Sequence, residues 1–278
     1  MPRTFHVSLI WRVLLLAMAA MLSGQAFAQE SQADSKQIEL SSTELEWIRN
    51  HPSLKIAVMD AWPPMDFLAE DGKPSGIGVD FLKVLAKRAG LNVQIVAAPF
   101  KQNMEDVREK RINALMDVTP KPDREEFLSF TKPYLTIPHV LICRSDGPSY
   151  KSERDLSGKT VALEAGFFGI QHFVKNYPDV TVLEYPDTAS CLVAVSQGEA
   201  DAYAGNRAVA TYLIAQEVLT NLETTTELKY TSSILAIGVR KDQQVLANIL
   251  DKALASLTAS EKIALLRNWT GNTRTKRG

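Results

Sequence analysis

Short apolar strands alternate with helical segments in two successive blocks of this chain, and that alternation restricts the fold more than any other feature. In the first block, strand LKIAVM (Leu54 to Met59) leads into a turn-rich segment containing Pro63, Pro64, Asp71-Gly72 and Gly76. A helix from Val79 to Ala89 follows, with Val79, Leu82, Leu85, Ala86 and Ala89 on one face. Strand VQIVA, a polar helix through Val107 and strand INALM (Ile112 to Met116) complete the block. The second block runs through strand HVLICRS, strand KTVALE, helix Gly169 to Asn176, strand TVLEY, helix Thr188 to Gln197, strand ADAYAG and helix Arg207 to Glu217. Strand ILAIGVR (Ile234 to Arg240) and helices near Val245 to Leu257 and Ser260 to Trp269 close the chain. The blocks join near His139. Strands separated by crossover helices predict a parallel α/β sheet.

The N-terminus reads as a signal peptide over residues 1–28. Arg3 and Arg12 precede an apolar run, Val13 to Leu22, and Ala26-Phe27-Ala28 is a small-x-small cleavage site. Export is therefore expected. No later run approaches the ~20 apolar residues of a membrane helix. Residues 29–53 are expected to hold a polar leader and a short helix, capped by Ser41 or Ser42 and ended before Pro52. A formal net charge of −1, with no basic stripe bearing interleaved aromatics, argues against nucleic-acid binding. The scattered histidines His6, His51, His139 and His172 give no metal-ligand spacing, and no cofactor is expected. Cys143 and Cys191 form either a disulfide or two buried thiols.

The stretch TPKPDREEFLSFTKPY (Thr119 to Tyr134) sets a cation on a stiff support. Pro120 and Pro122 fix their own φ angles and push Thr119 and Lys121 toward extended conformations. Pro122 suits the first position of a short helix, with Asp123, Glu125 and Glu126 in its first turn. Arg124 is then held where it can grip a carboxylate with two parallel hydrogen bonds. The plainer alternative is a structural pair with an acid such as Asp117.

Five segments in order, AVMDAWPPMDF, GKPSGIGVDFLKVLAKRAGL, the stretch around Arg124, DLSGKTVALEAG and QGEADAYAGNRAVATYLI, resemble the family 3 bacterial extracellular solute-binding proteins. The first of them, with the preceding ELEWIRNHPSL, looks especially like the Venus-flytrap sensor modules placed before hybrid histidine kinases. The resemblance spans Leu54 to Trp269. It implies a two-lobed α/β periplasmic-binding-protein (Venus-flytrap) fold, type II. Residues 54–138 and 235–278 would form lobe 1, residues 139–234 lobe 2, and two extended crossovers the hinge. It also implies a periplasmic monomer that captures an amino acid or related organic acid between the lobes and serves an inner-membrane ABC permease or a sensor kinase.

Site residues follow from the same resemblance. Trp62 falls at an aromatic that stacks on the ligand, or else anchors the Pro63-Pro64 turn. Phe100 falls at a second aromatic wall, or is core. Thr119 and Arg124 fall where a hydroxyl or backbone donor and a guanidinium meet the ligand carboxylate. Gly166, Phe167 and Phe168 occupy a turn that presents backbone N–H groups. Asn206 stands where an acid usually meets the ligand ammonium, or simply caps a helix; Asp117 can supply that anion from lobe 1. The chain departs from the family pattern at Asp117, Val118, Phe167 and Phe168, where small hydroxyl residues are common, and at neutral Asn206. Two other functions share this fold: a prephenate- or arogenate-type dehydratase, for which no acid follows Gly166, and a sensor module without a tight ligand. A non-enzymatic binder is the expectation.

Overall fold

The computed structural model describes residues 37–270, so the signal peptide expected over residues 1–28 and the tail NTRTKRG lie outside the described residues. Helix α1 (Ser42–Asn50) starts on Ser41, whose hydroxyl accepts the Glu44 N–H while the Glu44 carboxylate accepts the Ser41 N–H at 2.8 Å. β1 (Leu54–Met59) follows. The turn-rich segment folds into a small antiparallel sheet of β2 (Ala61–Trp62), β3 (Asp66–Leu68) and β4 (Pro74–Ser75). Helix α2 (Ile77–Ala89) begins two residues before the apolar periodicity does. Gly76 makes that start possible: its φ is +128° and a Cβ there would lie 2.1 Å from the Met65 carbonyl oxygen. β5 (Val93–Ala98), α3 (Phe100–Arg108) and β6 (Ala114–Val118) complete the first block, with β1 parallel to both β5 and β6. β6 lies two residues beyond the expected INALM strand and so takes Asp117 and Val118 into the sheet. α4 (Pro122–Glu125) starts on Pro122 as its φ preference predicts. β7 (Leu128–Phe130) follows it.

β8 (Leu135–Arg144), β9 (Thr160–Glu164), α5 (Phe168–Asn176), β10 (Thr181–Tyr185), α6 (Thr188–Gln197), β11 (Ala202–Asn206) and α7 (Arg207–Gln216) form the second block. β9 is parallel to β10 and β11, while β8 is antiparallel to β11. β12 (Leu222–Arg240) then runs for 19 residues and far exceeds the expected strand Ile234 to Arg240. Its first part, LETTTELKYTSS, has no apolar run to announce a strand; pairing with β8 supplies the order. The strand order is β10-β9-β11-β8-β12-β6-β1-β5, with β7 also paired to β12. The sheet is thus parallel through β5, β1 and β6 and through β10, β9 and β11, and antiparallel wherever β8 or β12 takes part. Leu135 to Pro138 pair with Leu235 to Ser232 at that junction. Helices α8 (Gln244–Ala255) and α9 (Ala259–Thr270) end the described chain.

Apolar side chains gather into two clusters. The larger includes Ile56, Val58, Leu82, Leu85, Leu115 and Leu250; the smaller includes Leu141, Leu163, Phe173 and Ala202. Cys143 and Cys191 are both free and buried, which selects thiols over the disulfide alternative. Burial pushes the Cys143 thiol up to about 11, so it packs as a small apolar group. Among the described residues, no helix is long and apolar enough to cross a membrane.

Candidate functional site

A cavity with about 300 Å³ of empty space opens beside the β8–β12 junction. It brings together Trp62, Phe100, Asp117, Thr119, Arg124, Phe167 and Phe168, adding Met59, Ser233 and Leu235. Arg124 arises from the first turn of α4 and is only 6% exposed. Its Nη1 donates to the Thr119 carbonyl at 2.9 Å, and the guanidinium lies 5.2 Å from the centre of the Phe100 ring. Among the described residues no carboxylate forms an ion pair with it. Burial pulls its pKa down, opposed in part by the neighbouring Asp123. The expected alternative, a structural pair with Asp117, is not formed. Asp117 instead accepts a short hydrogen bond from the Tyr134 hydroxyl.

Asp117, the penultimate residue of β6, has φ +58°. That left-handed turn is uncommon outside glycine but tolerated by Asp. Its carboxyl faces that of Asp66 across Gly78: a Cβ at Gly78 would lie 2.5 Å from Asp66 Oδ1 and 2.7 Å from Asp117 Oδ2. Both acids are buried, and burial raises both pKa values. For Asp66 the nearby Asp117 charge adds to the rise, while Asp66 and Tyr134 hydrogen bonds restrain that of Asp117.

The opposite side of the cavity is aromatic. Phe167 stands edge-on to Phe100 at 5.0 Å and to Trp62 at 5.9 Å between ring centres. Trp62 is buried, and its indole N–H has no partner among the described residues. Phe168 stacks on His139 at 5.3 Å, and the Lys121 ammonium sits 4.3 Å above the Phe168 ring. His139 Nε2 is 2.8 Å from Ser233 Oγ, a contact that links β8 to β12. Burial, then the Lys121 charge, lowers the His139 pKa to about 4. Lys121, His139, Ser233, Met59 and Leu235 were not expected in the site. Extended pairing of β8 with β12 brings His139 and Ser233 together, and no local pattern announces it.

Two expected residues do not line this cavity. Asn206 caps α7, its Oδ1 accepting the Val209 N–H at 3.1 Å, and its Nδ2 has no partner among the described residues. Gly166, at φ +82°, brings the chain against Lys101, 3.3 Å from where a Cβ would sit, and so delivers Phe167 to Phe100. Beyond Phe167, a groove of about 260 Å³ includes Asp60, Glu164, Asp187 and Thr188. Glu164 Oε1 there accepts from Thr188 Oγ1 at 2.6 Å and from the Tyr203 hydroxyl at 2.8 Å. Its carboxylate thus has fixed structural partners. No cluster suited to a metal ion occurs among the described residues.

Residues 54–272 match the model of the bacterial extracellular solute-binding proteins, family 3. The chain belongs to this family. Among its relatives, this family 3 chain is 26% identical over 233 residues to the virulence sensor protein BvgS of Bordetella pertussis, a match spanning 84% of this chain but 19% of the sensor. It is 25% identical over 211 residues to the ABC transporter arginine-binding protein 1 of Escherichia coli, covering 74% of this chain and 85% of that protein. The crystal structure of the BvgS periplasmic VFT2 domain from Bordetella pertussis superposes with a TM-score of 0.75 at 26% identity, covering 84% of this chain and all of that one. The fold is therefore the two-lobed periplasmic-binding-protein fold. The family is a solute-binding one whose members include both amino-acid binders and sensor domains.

Proposed function

We propose that this chain is an exported solute-binding protein that captures a small carboxylate-bearing ligand, an amino acid or related organic acid, between its lobes. One observation carries the reading: Arg124 is buried at the cavity, and among the described residues no carboxylate pairs with it. Burying an uncompensated charge is costly unless a partner arrives. A ligand carboxylate supplies that partner with bidentate geometry. Trp62, Phe100 and Thr119 then line the ligand on the same side, and Phe167 and Phe168 close from the other. In this reading Asp117 lies beside the carboxylate, and Gly166 and Asn206 act indirectly, by shaping the turn and capping α7. Residues 54–138 with 235–278 act as one lobe and 139–234 as the other, hinged where β8 and β12 pair at Leu135 to Pro138. Closure changes the outer surface that an inner-membrane ABC permease or a sensor kinase reads. Cleavage after Ala28 would deliver the protein to the periplasm.

A thermal-shift panel of amino acids and small organic acids tests the proposal. A ligand raises the melting temperature of the intact chain by mass action, and Arg124→Ala removes the response. A panel with no response, or a response that survives Arg124→Ala, rejects it.

A further inference from the structure

The Asp66–Asp117 pair is the most heavily buried titratable cluster at the cavity. Asp66 is fully buried, and its oxygens approach the Met59 and Val79 backbone N–H groups without completing a hydrogen bond. Asp117 lines the cavity, 4% exposed, and its Oδ2 has no conventional donor. Among the described residues, two charged or titratable groups face the pair, and α2 adds none. Tyr134, in the segment before β8, donates to Asp117 Oδ1; Arg124, from α4, shares the cavity without touching either acid; and Gly78, on α2, contributes no side chain. Two buried carboxyl groups that both crowd the bare Cα of Gly78, with no cation in contact among the described residues, cannot both ionise cheaply. A proton on Asp66 resolves this, because its O–H then donates to Asp117 and fills the vacant acceptor.

We infer that Asp66 and Asp117 share a single proton, and that this proton couples ligand capture in the cleft to pH by setting whether Asp117 faces the ligand as an anion. The inference rests on the cleft reading above and adds a selection rule to it. With one shared proton the pair offers one negative charge beside the ligand carboxylate held by Arg124. That charge suits a ligand carrying an ammonium group and repels a plain carboxylate. Taking one more proton from solvent removes the charge and turns Asp117 into a donor, which reverses the preference. Asp66 is a positioning residue here, since it acts through Asp117.

The test uses the whole chain and two probes that differ only in the α-ammonium, L-arginine and 5-guanidinopentanoate. Calorimetric titration over mildly acidic to neutral pH is expected to show L-arginine losing up to about tenfold in affinity per pH unit as the second proton binds, while the deaminated probe gains. In Asp66→Asn the side-chain amide donates to Asp117 as the protonated Asp66 does, so both trends persist without a shared proton. Carbon-13 NMR of the aspartate carboxyls in the unmodified chain should show one protonated acid at neutral pH, and the same signal should be absent from Asp66→Asn. Because that signal is read first in the unmodified chain, a variant that fails to fold does not protect the inference. Fully ionised aspartates at neutral pH overturn it. So do affinities lost in Arg124→Ala but flat with pH, which leave the cleft reading standing. No response to either probe or to any member of the thermal-shift panel removes the cleft reading, and the linkage falls with it; where the panel yields a different ligand, that ligand and its deaminated form serve as the two probes.

Discussion

The two walls of the cleft are built on different physical principles. On one side, residues 62–124 hold a guanidinium and two carboxyl groups out of water, each fixed by neighbours in the same block: Arg124 by Thr119 and Phe100, Asp117 by Tyr134 and Asp66. On the other side, residues 139–168 present rings, with Phe167 against Trp62 and Phe100, and Phe168 between His139 and Lys121. The first wall is preorganised and directional, because charged hydrogen bonds demand geometry. The second is adaptable and contributes area, because edge-to-face rings tolerate small shifts at little cost. On the proposed reading, the charged wall orients the ligand and the aromatic wall closes over it.

The largest expected effect falls on the charged wall. Arg124→Ala should weaken ligand binding by at least about 100-fold, measured by calorimetry, because one partner of a buried charge pair is lost. Loss confined to a few fold would mean that the aromatic wall carries recognition instead. On the aromatic wall, His139 is held neutral in the fold with its pKa lowered to about 4. The unfolded chain binds the proton more tightly, at about 6.5, so this contribution is complete above that pH and is lost as pH falls toward 4. Denaturant titrations should show up to about 3 kcal/mol lost across that window, and His139→Gln should flatten the loss.

Gly78→Ala returns to the charged wall. Its new methyl group would meet Asp66 and Asp117 inside van der Waals contact, and a cost of about 1–3 kcal/mol in chemical unfolding is expected. A neutral outcome would show that the two acids separate easily. The smallest effect is expected from Phe167→Ala. It removes the two ring contacts between the walls and should shift the equilibrium toward the open form by about 1 kcal/mol, visible as a larger radius of gyration in solution scattering. An unchanged radius would assign closure elsewhere, with the Phe168–His139 stack as the next candidate.

Legibility in the sequence followed the range of the interactions. The Pro122 helix start and the Asn206 cap are encoded within four residues and stand where the sequence placed them, and of the two candidate caps Ser41 and Ser42 the structure selects Ser41, paired with Glu44. Arg124 was legible as a rigidly supported cation for the same reason. The first half of β12 was not, because LETTTELKYTSS is polar and becomes a strand only beside β8. Asp66 carried no local signal either. It reads as one more acid in a turn-rich segment, and its importance arises from a fold that points it at Asp117 across the bare Cα of Gly78.

By itself, the sequence determined the alternation of strands and helices, the stiff loop that carries Arg124 and the aromatic character of the residues after Gly166. These depend on φ preferences, capping and periodicity, all of which act over a turn or two of chain. Tertiary structure alone decided that Arg124 and Asp117 stay unpaired with each other, that Asn206 lies off the cavity, and that His139 and Ser233 meet. Burial and long-range pairing govern those outcomes: the energy of a charge depends on what surrounds it in space, and no local pattern records that.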